Sequence, residues 1–154
     1  MLVACSPQAQ SSAQNLANNE QGAKPASDLE AQSGLSEIPL TINSGGKVQR
    51  FTVEVAASPQ QQERGLMYRR SIAPDHGMIF PYNPPQHVAF WMKNTLIPLD
   101  IIYIREDGRI ARIVTAKPLD ETPLPSGEPI VAVLEIAGGR AAQLGIRQGD
   151  VARW

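Results

Sequence analysis

The run Phe90-Trp91-Met92-Lys93-Asn94-Thr95, closed by Ile97-Pro98-Leu99-Asp100, places an indole, a thioether, an ammonium, an amide and a carboxylate within one short stretch. An aromatic ring beside a cation offers stacking area with electrostatic selectivity, which suits a sugar, an aromatic ligand or a carboxylate. Read as a strand, His87 to Lys93 puts Ala89, Trp91 and Lys93 on one face, and Val88, Phe90, Met92 and Asn94 on the other. The second face is apolar down to Met92 and belongs to a core. Trp91 and Lys93 are therefore the candidate ligand-binding pair, with Arg64 as a second cation and Asn94 and Asp100 orienting the loop. The bland reading makes Trp91 the core residue of a second layer, with Lys93 snorkelling past it.

Catalytic readings have fewer residues to work with. Asp100 and Glu135 could form the acid–base pair of a hydrolase or lyase acting on an envelope glycan, because a carboxylate within the apolar run Ile130–Ile136 needs a reason to be there. A structural ion pair of Glu135 with Arg64 or Lys93 answers the same need. Thioethers at Met67, Met78 and Met92 with His76 and His87 would suit Cu(I). No His-x-His or Met-x-x-Met spacing supports that site, and methionines in apolar runs commonly fill gaps in a core. Ser126 lacks a nucleophile elbow and the glycines lack a phosphate-loop spacing, so no metal, no cofactor and no catalytic residue is expected.

These residues must be positioned by short elements. Ile38–Ile42 and Phe51–Val55 read as strands joined through Ser44-Gly45-Gly46. Ser58-Pro59-Gln60-Gln61 starts a helix with an N-cap, a proline at the first turn and a capping-box partner, and Gly65 helps to end it. Gly77–Phe80 reads as a short buried strand. Ile101–Ile104 and Ile110–Val114 flank the hairpin pair Asp107-Gly108. Leu119–Pro129 reads as a long rigid loop, Ala137–Gly145 as a short helix, and a last strand lies near Val151. Ala141–Val151 also has the helix–turn–strand look of a piece of PDZ domain, but the further strands of that fold do not follow. The expected fold is mainly β: a single compact sandwich or barrel-like domain with one or two short helices.

The 154 residues suit one domain, and 14 Lys and Arg against 15 Asp and Glu leave no basic block for nucleic acid. No apolar segment approaches the ~20 residues of a membrane-spanning helix. The single cysteine, Cys5, rules out an intramolecular disulfide and follows Leu2-Val3-Ala4. That tetrapeptide resembles the lipobox of bacterial lipoproteins, although no charged and hydrophobic segments precede it. Residues 6–36, rich in Gln, Ala, Ser and Asn, cannot bury enough apolar surface to offset their ordering entropy and read as a tether. The expected organisation is a lipobox remnant and polar tether over 1–36 and a β-rich domain over 37–154. The expected location is the periplasmic face of a bacterial envelope, anchored through lipid on Cys5, with a secreted or soluble periplasmic protein as the alternative.

Glu63-Arg64-Gly65-Leu66-Met67-Tyr68-Arg69, Gly77-Met78-Ile79-Phe80, the Trp-Met-Lys-Asn-Thr run, Ile97-Pro98-Leu99-Asp100, Val133-Leu134-Glu135-Ile136 and Leu144–Asp150 occur in an order that resembles the family called domain of unknown function 192. The resemblance covers essentially the whole folded part. It implies a mainly β, sandwich-like fold, and the signal peptides or lipoboxes of many relatives imply an envelope location. Where relatives often have Tyr before Pro, this chain has Leu124-Pro125-Ser126. No accepted activity comes with the family. The function expected is binding of a small ligand or an envelope protein through Trp91, Lys93, Asn94 and Asp100; the alternatives are the glycan hydrolase or lyase and a purely structural module.

Overall fold

The computed structural model describes residues 34–154, so Cys5 and nearly all of the proposed tether lie outside the described residues. Among the described residues, nine strands and two short helices follow in the order β1 (Glu37–Ser44), β2 (Lys47–Val55), α1 (Pro59–Arg64), β3 (His76–Gln86), β4 (Ala89–Phe90), β5 (Leu99–Ile104), β6 (Ile110–Ala116), β7 (Leu124–Pro125), β8 (Ile130–Ala137), α2 (Arg140–Leu144) and β9 (Val151–Arg153). Seven strands form one mixed sheet in the order β6-β5-β8-β3-β2-β1-β9, and β4 pairs with β7 in a small second sheet. The fold is mainly β, as the sequence predicts.

Both predicted hairpins form. Ser44 pairs with Lys47 across Gly45 and Gly46, and the positive φ of both glycines (56° and 81°) supplies the backbone twist of a tight turn. Gly108, at φ 82°, turns β5 into β6. Helix α1 carries the full capping box: the Ser58 hydroxyl accepts from the Gln61 amide, and the Gln61 side chain accepts from the Ser58 amide. One connection was not legible. β2 and β3 run parallel, so the chain from 56 to 75 must cross over rather than turn back, and it carries α1 with it.

The sheet curls until its edge strands touch. Arg109 bridges Val151, and Ile110, Gly149 and Ala152 donate to Asp150, Ile110 and Gly108 respectively. These bonds do not extend into a ladder, so the barrel stays open. Its inner face is one core, spanning the sheet from Ile110 on β6 to Ala152 on β9 and plugged at one end by Ala141 and Ile146. The outer face of β3, β5 and β8 carries Met78, Phe80, Leu99, Ile101, Tyr103 and Val133. That second core is covered by Leu66, Met92 and the β4–β7 pair. Successive residues of a strand alternate between the two. Every position of β5 is buried for this reason.

Candidate functional site

Three covering segments, 66–69, 91–98 and 117–120, are stitched together by main-chain bonds. The Tyr68 amide donates to the Asn94 carbonyl (2.8 Å), Leu119 to Thr95 (3.0 Å) and Met92 to Asp120 (2.9 Å). The first two segments are also tied down from below. Leu66 and Met92 are buried in the outer core. Arg69 forks onto the Glu54 carboxylate on β2 (2.7 and 3.1 Å), which fixes the residue next to Tyr68. Thr95, buried, donates its hydroxyl to the Lys93 carbonyl (3.2 Å), closing the turn after the Trp-Met-Lys run.

Strand β4 is only two residues long, yet alternation persists beyond it: Ala89, Trp91 and Lys93 are exposed, while Phe90 and Met92 point into the core. The Phe90 ring meets Phe80 and Tyr103 edge-on (centroids at 5.0 and 6.3 Å), which sets the height of the segment above the sheet. Trp91 is 46% exposed, and the Lys93 ammonium lies 5.0 Å from its ring centroid. Tyr68, Leu96 and Leu119 flank this pair and are likewise exposed; of the large apolar side chains exposed among the described residues, only Val48 and Trp154 lie elsewhere.

Every non-glycine residue with positive φ among the described residues belongs to this surface: Tyr68 (65°), Asn94 (54°) and Leu119 (62°). For a non-glycine residue that conformation costs roughly 1–2 kcal/mol. Asn tolerates it best, whereas Tyr and Leu have no local compensation, so the stitching bonds and buried neighbours hold them there. Neither Tyr68, Leu96 nor Leu119 is singled out by residue type. The available signal was apolar residues standing in turn segments, as in Lys117-Pro118-Leu119-Asp120.

The other expected site residues are placed as follows. Asn94 joins the surface, with its amide 3.8 Å from the Met67 sulfur. Arg64 ends α1 in solvent, and its carbonyl accepts from Met67. Asp100 does not orient the 94–95 turn. It is fully buried on the inner face, where it accepts from Thr115 Oγ1 (2.6 Å), the Gly139 amide (2.9 Å) and the Ala141 amide (2.8 Å). The start of α2 lacks a side-chain cap of its own, and Asp100 supplies one from a neighbouring strand. Glu135 forms no ion pair with Arg64 or Lys93 and lies elsewhere again. It pairs with Ile101 and Met78 on the outer face, whereas Asp100 pairs with Ile136 on the inner face. The two carboxylates thus lie on opposite sides of the sheet.

Glu135 is 5% exposed, and burial alone pushes its carboxyl up to about 8. Burial likewise raises Tyr82 and Tyr103 to about 12, with the nearby Glu135 charge contributing to both. Met78 and Met92 are packed in this core, and no group of three or more His, Cys, Asp or Glu side chains that could hold a metal ion occurs among the described residues. Ser126 is buried, donating to the Glu128 carbonyl (2.7 Å) and accepting from the Val88 amide (3.2 Å), and so acts as a loop clamp.

An open, mixed β-barrel bearing a covering layer of loops, with an aromatic surface built on strained main chain, defines the class: a small β-domain that presents a fixed loop surface. The chain belongs to the family of domain of unknown function 192, described as Uncharacterized ACR, whose model matches residues 40–154. It is similar to the crystal structure of a protein of unknown function from Novosphingobium aromaticivorans (47% identity, TM-score 0.78, covering 80% of this chain and 89% of that one). It is also similar to a Sinorhizobium meliloti protein described as a candidate transcription regulator (40% identity, TM-score 0.75, covering 77% and 94%). Comparison with curated proteins gave no match.

Proposed function

We propose that this chain is a non-enzymatic binding domain of the bacterial envelope. In this reading the surface of Tyr68, Trp91, Lys93, Leu96 and Leu119 docks a protein partner, and lipid on Cys5 holds the domain at the membrane. The observation that carries the docking surface is the coincidence of exposed aromatic and aliphatic side chains with the non-glycine positive-φ residues among the described residues. Strain of a few kcal/mol is maintained there by stitching bonds that also present the rings to solvent. Trp and Tyr are the side chains that most often anchor protein interfaces. The Lys93 ammonium over the Trp91 ring favours a partner that carries a carboxylate beside apolar side chains. The Cys5 anchor rests on the Leu-Val-Ala-Cys sequence and the polar segment after it.

The glycan hydrolase reading has no support in the geometry, because Asp100 is consumed in capping α2 and Glu135 faces away from it. A nucleic-acid partner is not part of this reading either, as acidic and basic residues nearly balance. Selection of displayed peptides on the immobilised protein tests the surface. Binders rich in Asp or Glu next to aromatic and aliphatic residues are expected, and Trp91→Ala should weaken them about 30-fold, equivalent to ~2 kcal/mol. Binders that tolerate Trp91→Ala would refute the site.

A further inference from the structure

The covering layer of loops stops short of one wall of the barrel. The outer core holds no residue of β1, β2 or β9. Leu40, Ile42, Phe51, Val53 and Ala152 of these strands belong to the inner core, so the alternate residues face outward along an uncovered three-strand surface. In one row across it, Thr41 pairs with Arg50 on one side and with Arg153 on the other. In the next row, Asn43 pairs with Val48 and Val151, and Val151 bridges Arg109. Val48 and Trp154, which follows Arg153, are the large apolar side chains left exposed away from the Trp91 surface among the described residues.

The cations of this wall are poorly matched by carboxylates. Among the described residues neither Arg50 nor Arg153 forms an ion pair. Arg153 donates to the Ala152 carbonyl (2.9 Å), and a Cβ at Gly108 would overlap its guanidinium, so the hairpin glycine leaves the place in which that group lies. Lys47 stands in the turn beside Val48, and Arg109 adds a further charge, partly offset by Asp107 at 3.6 Å. Neither row contains a carboxylate. Glu37 and Glu54 share this face two rows further along, where Glu54 is held by Arg69. Of the remaining nearby acids, Glu106 stands in the turn before β6 and Asp150 accepts from the Arg147 amide.

We propose that this wall rests on an anionic membrane surface, with its arginines at the phosphates and Val48 and Trp154 among the headgroups. Two strand spacings set the Arg50 and Arg153 backbones roughly 10 Å apart. The Arg153 guanidinium turns further away, over Gly108, so the charges spread across a plane instead of converging on one small anion. Nucleic acid would take the cations but leave the exposed apolar side chains unused. A membrane interface takes both, since Trp settles at headgroup level beside cations that meet anionic lipid. The wall is separate from the Trp91 surface, so membrane contact leaves that surface free. The proposal does not rest on lipid at Cys5.

The test is co-sedimentation of the full chain, carrying Cys5→Ser to exclude lipid attachment, with vesicles of phosphatidylcholine alone or mixed with phosphatidylglycerol. Binding is expected to the mixed vesicles only, with loss at about 1 M salt, where the screening length shrinks to ~3 Å. Each arginine near an anionic surface is worth about fivefold in affinity, so Arg50→Gln combined with Arg153→Gln should weaken binding about 30-fold. Arg70→Gln, the same loss of an exposed charge outside this wall, should leave binding unchanged. In Trp91→Phe, Trp154 is the one remaining tryptophan, and its emission should move to shorter wavelength on the mixed vesicles. Absence of binding, equal binding to both vesicles, an unaffected double variant, an unshifted Trp154 emission, or displacement from the vesicles by duplex DNA would each overturn the proposal. None of these outcomes bears on the Cys5 anchor or on docking at Trp91, which stand or fall separately.

Discussion

Replacing Glu135 by Gln should convert a pH-dependent stability into a nearly flat one. The carboxyl titrates near 4.5 in the unfolded chain and near 8 in the folded one, because the outer core desolvates it without a compensating bond. The folded state therefore holds the proton more tightly, and stability falls as pH rises from about 5 to about 8. Below that window both states are protonated, and above it both are ionised and the loss is constant. A separation of roughly 3.5 pH units at 1.36 kcal/mol each corresponds to about 5 kcal/mol, or ~1.4 kcal/mol per pH unit within the window. A domain of this size has only about 5–15 kcal/mol in total, so the effect should dominate its alkaline behaviour. Urea denaturation of both proteins at pH 5, 6, 7, 8 and 9 measures it. The curves should converge at pH 5, and the variant should be several kcal/mol the more stable at pH 8–9. Parallel wild-type and variant profiles would show that the carboxyl is solvated or paired in the folded protein, and the reasoning would fail.

Other substitutions separate structural residues from surface ones. Asp100→Ala removes the acceptor for the Gly139 and Ala141 amides at the start of α2 and for the Thr115 hydroxyl, and should cost about 3 kcal/mol in urea melts while leaving partner binding by the folded fraction intact. Trp91→Ala should do the reverse: its half-exposed ring and cation–π contact predict a stability change of about 1 kcal/mol or less, with the main loss in binding. Arg69→Ala removes the guanidinium paired with the 7%-exposed Glu54 side chain beneath the 66–69 segment, and should destabilise by about 2 kcal/mol with weakened protection of the Tyr68 amide in hydrogen exchange. Leu119→Gly relieves left-handed strain, so thermal stability should hold or rise by up to ~1 kcal/mol, whereas Leu119→Ala should show no such gain.

Much of this architecture is local enough to read from the chain. The Gly45-Gly46 and Asp107-Gly108 turns of the hairpins, the Ser58–Gln61 box of α1 and the alternation around Trp91 are decided by neighbouring residues, and each forms as expected. What escaped was non-local. The parallel pairing of β2 with β3 depends on where a twenty-residue crossover returns, roughly the length such connections need, and no residue encodes that alone. Asp100 sits six positions after Asn94, close enough in sequence to imply a shared turn. Being on β5 sends its side chain to the inner face instead, where α2, some forty residues later, needs an acceptor. Glu135 was legible as an anomaly in an apolar strand, but its lack of a partner depends on the two adjacent strands. The strained backbone of Tyr68 and Leu119 leaves no mark in residue type, since both would ordinarily avoid it.

The claim at the centre is that the stitched loops around Trp91 are a docking surface. Site-specific photo-crosslinking in living cells tests it most directly, with the reactive side chain placed at position 96 or 119 and, as a control, at the distant exposed position 48. Positions 96 and 119 should give the same discrete adduct, absent from position 48 and lost with Trp91→Ala. The purified partner should then bind the domain about 30-fold less tightly when Trp91 is removed. No adduct from either loop position, or adducts equal to those from position 48 and indifferent to Trp91→Ala, would contradict it.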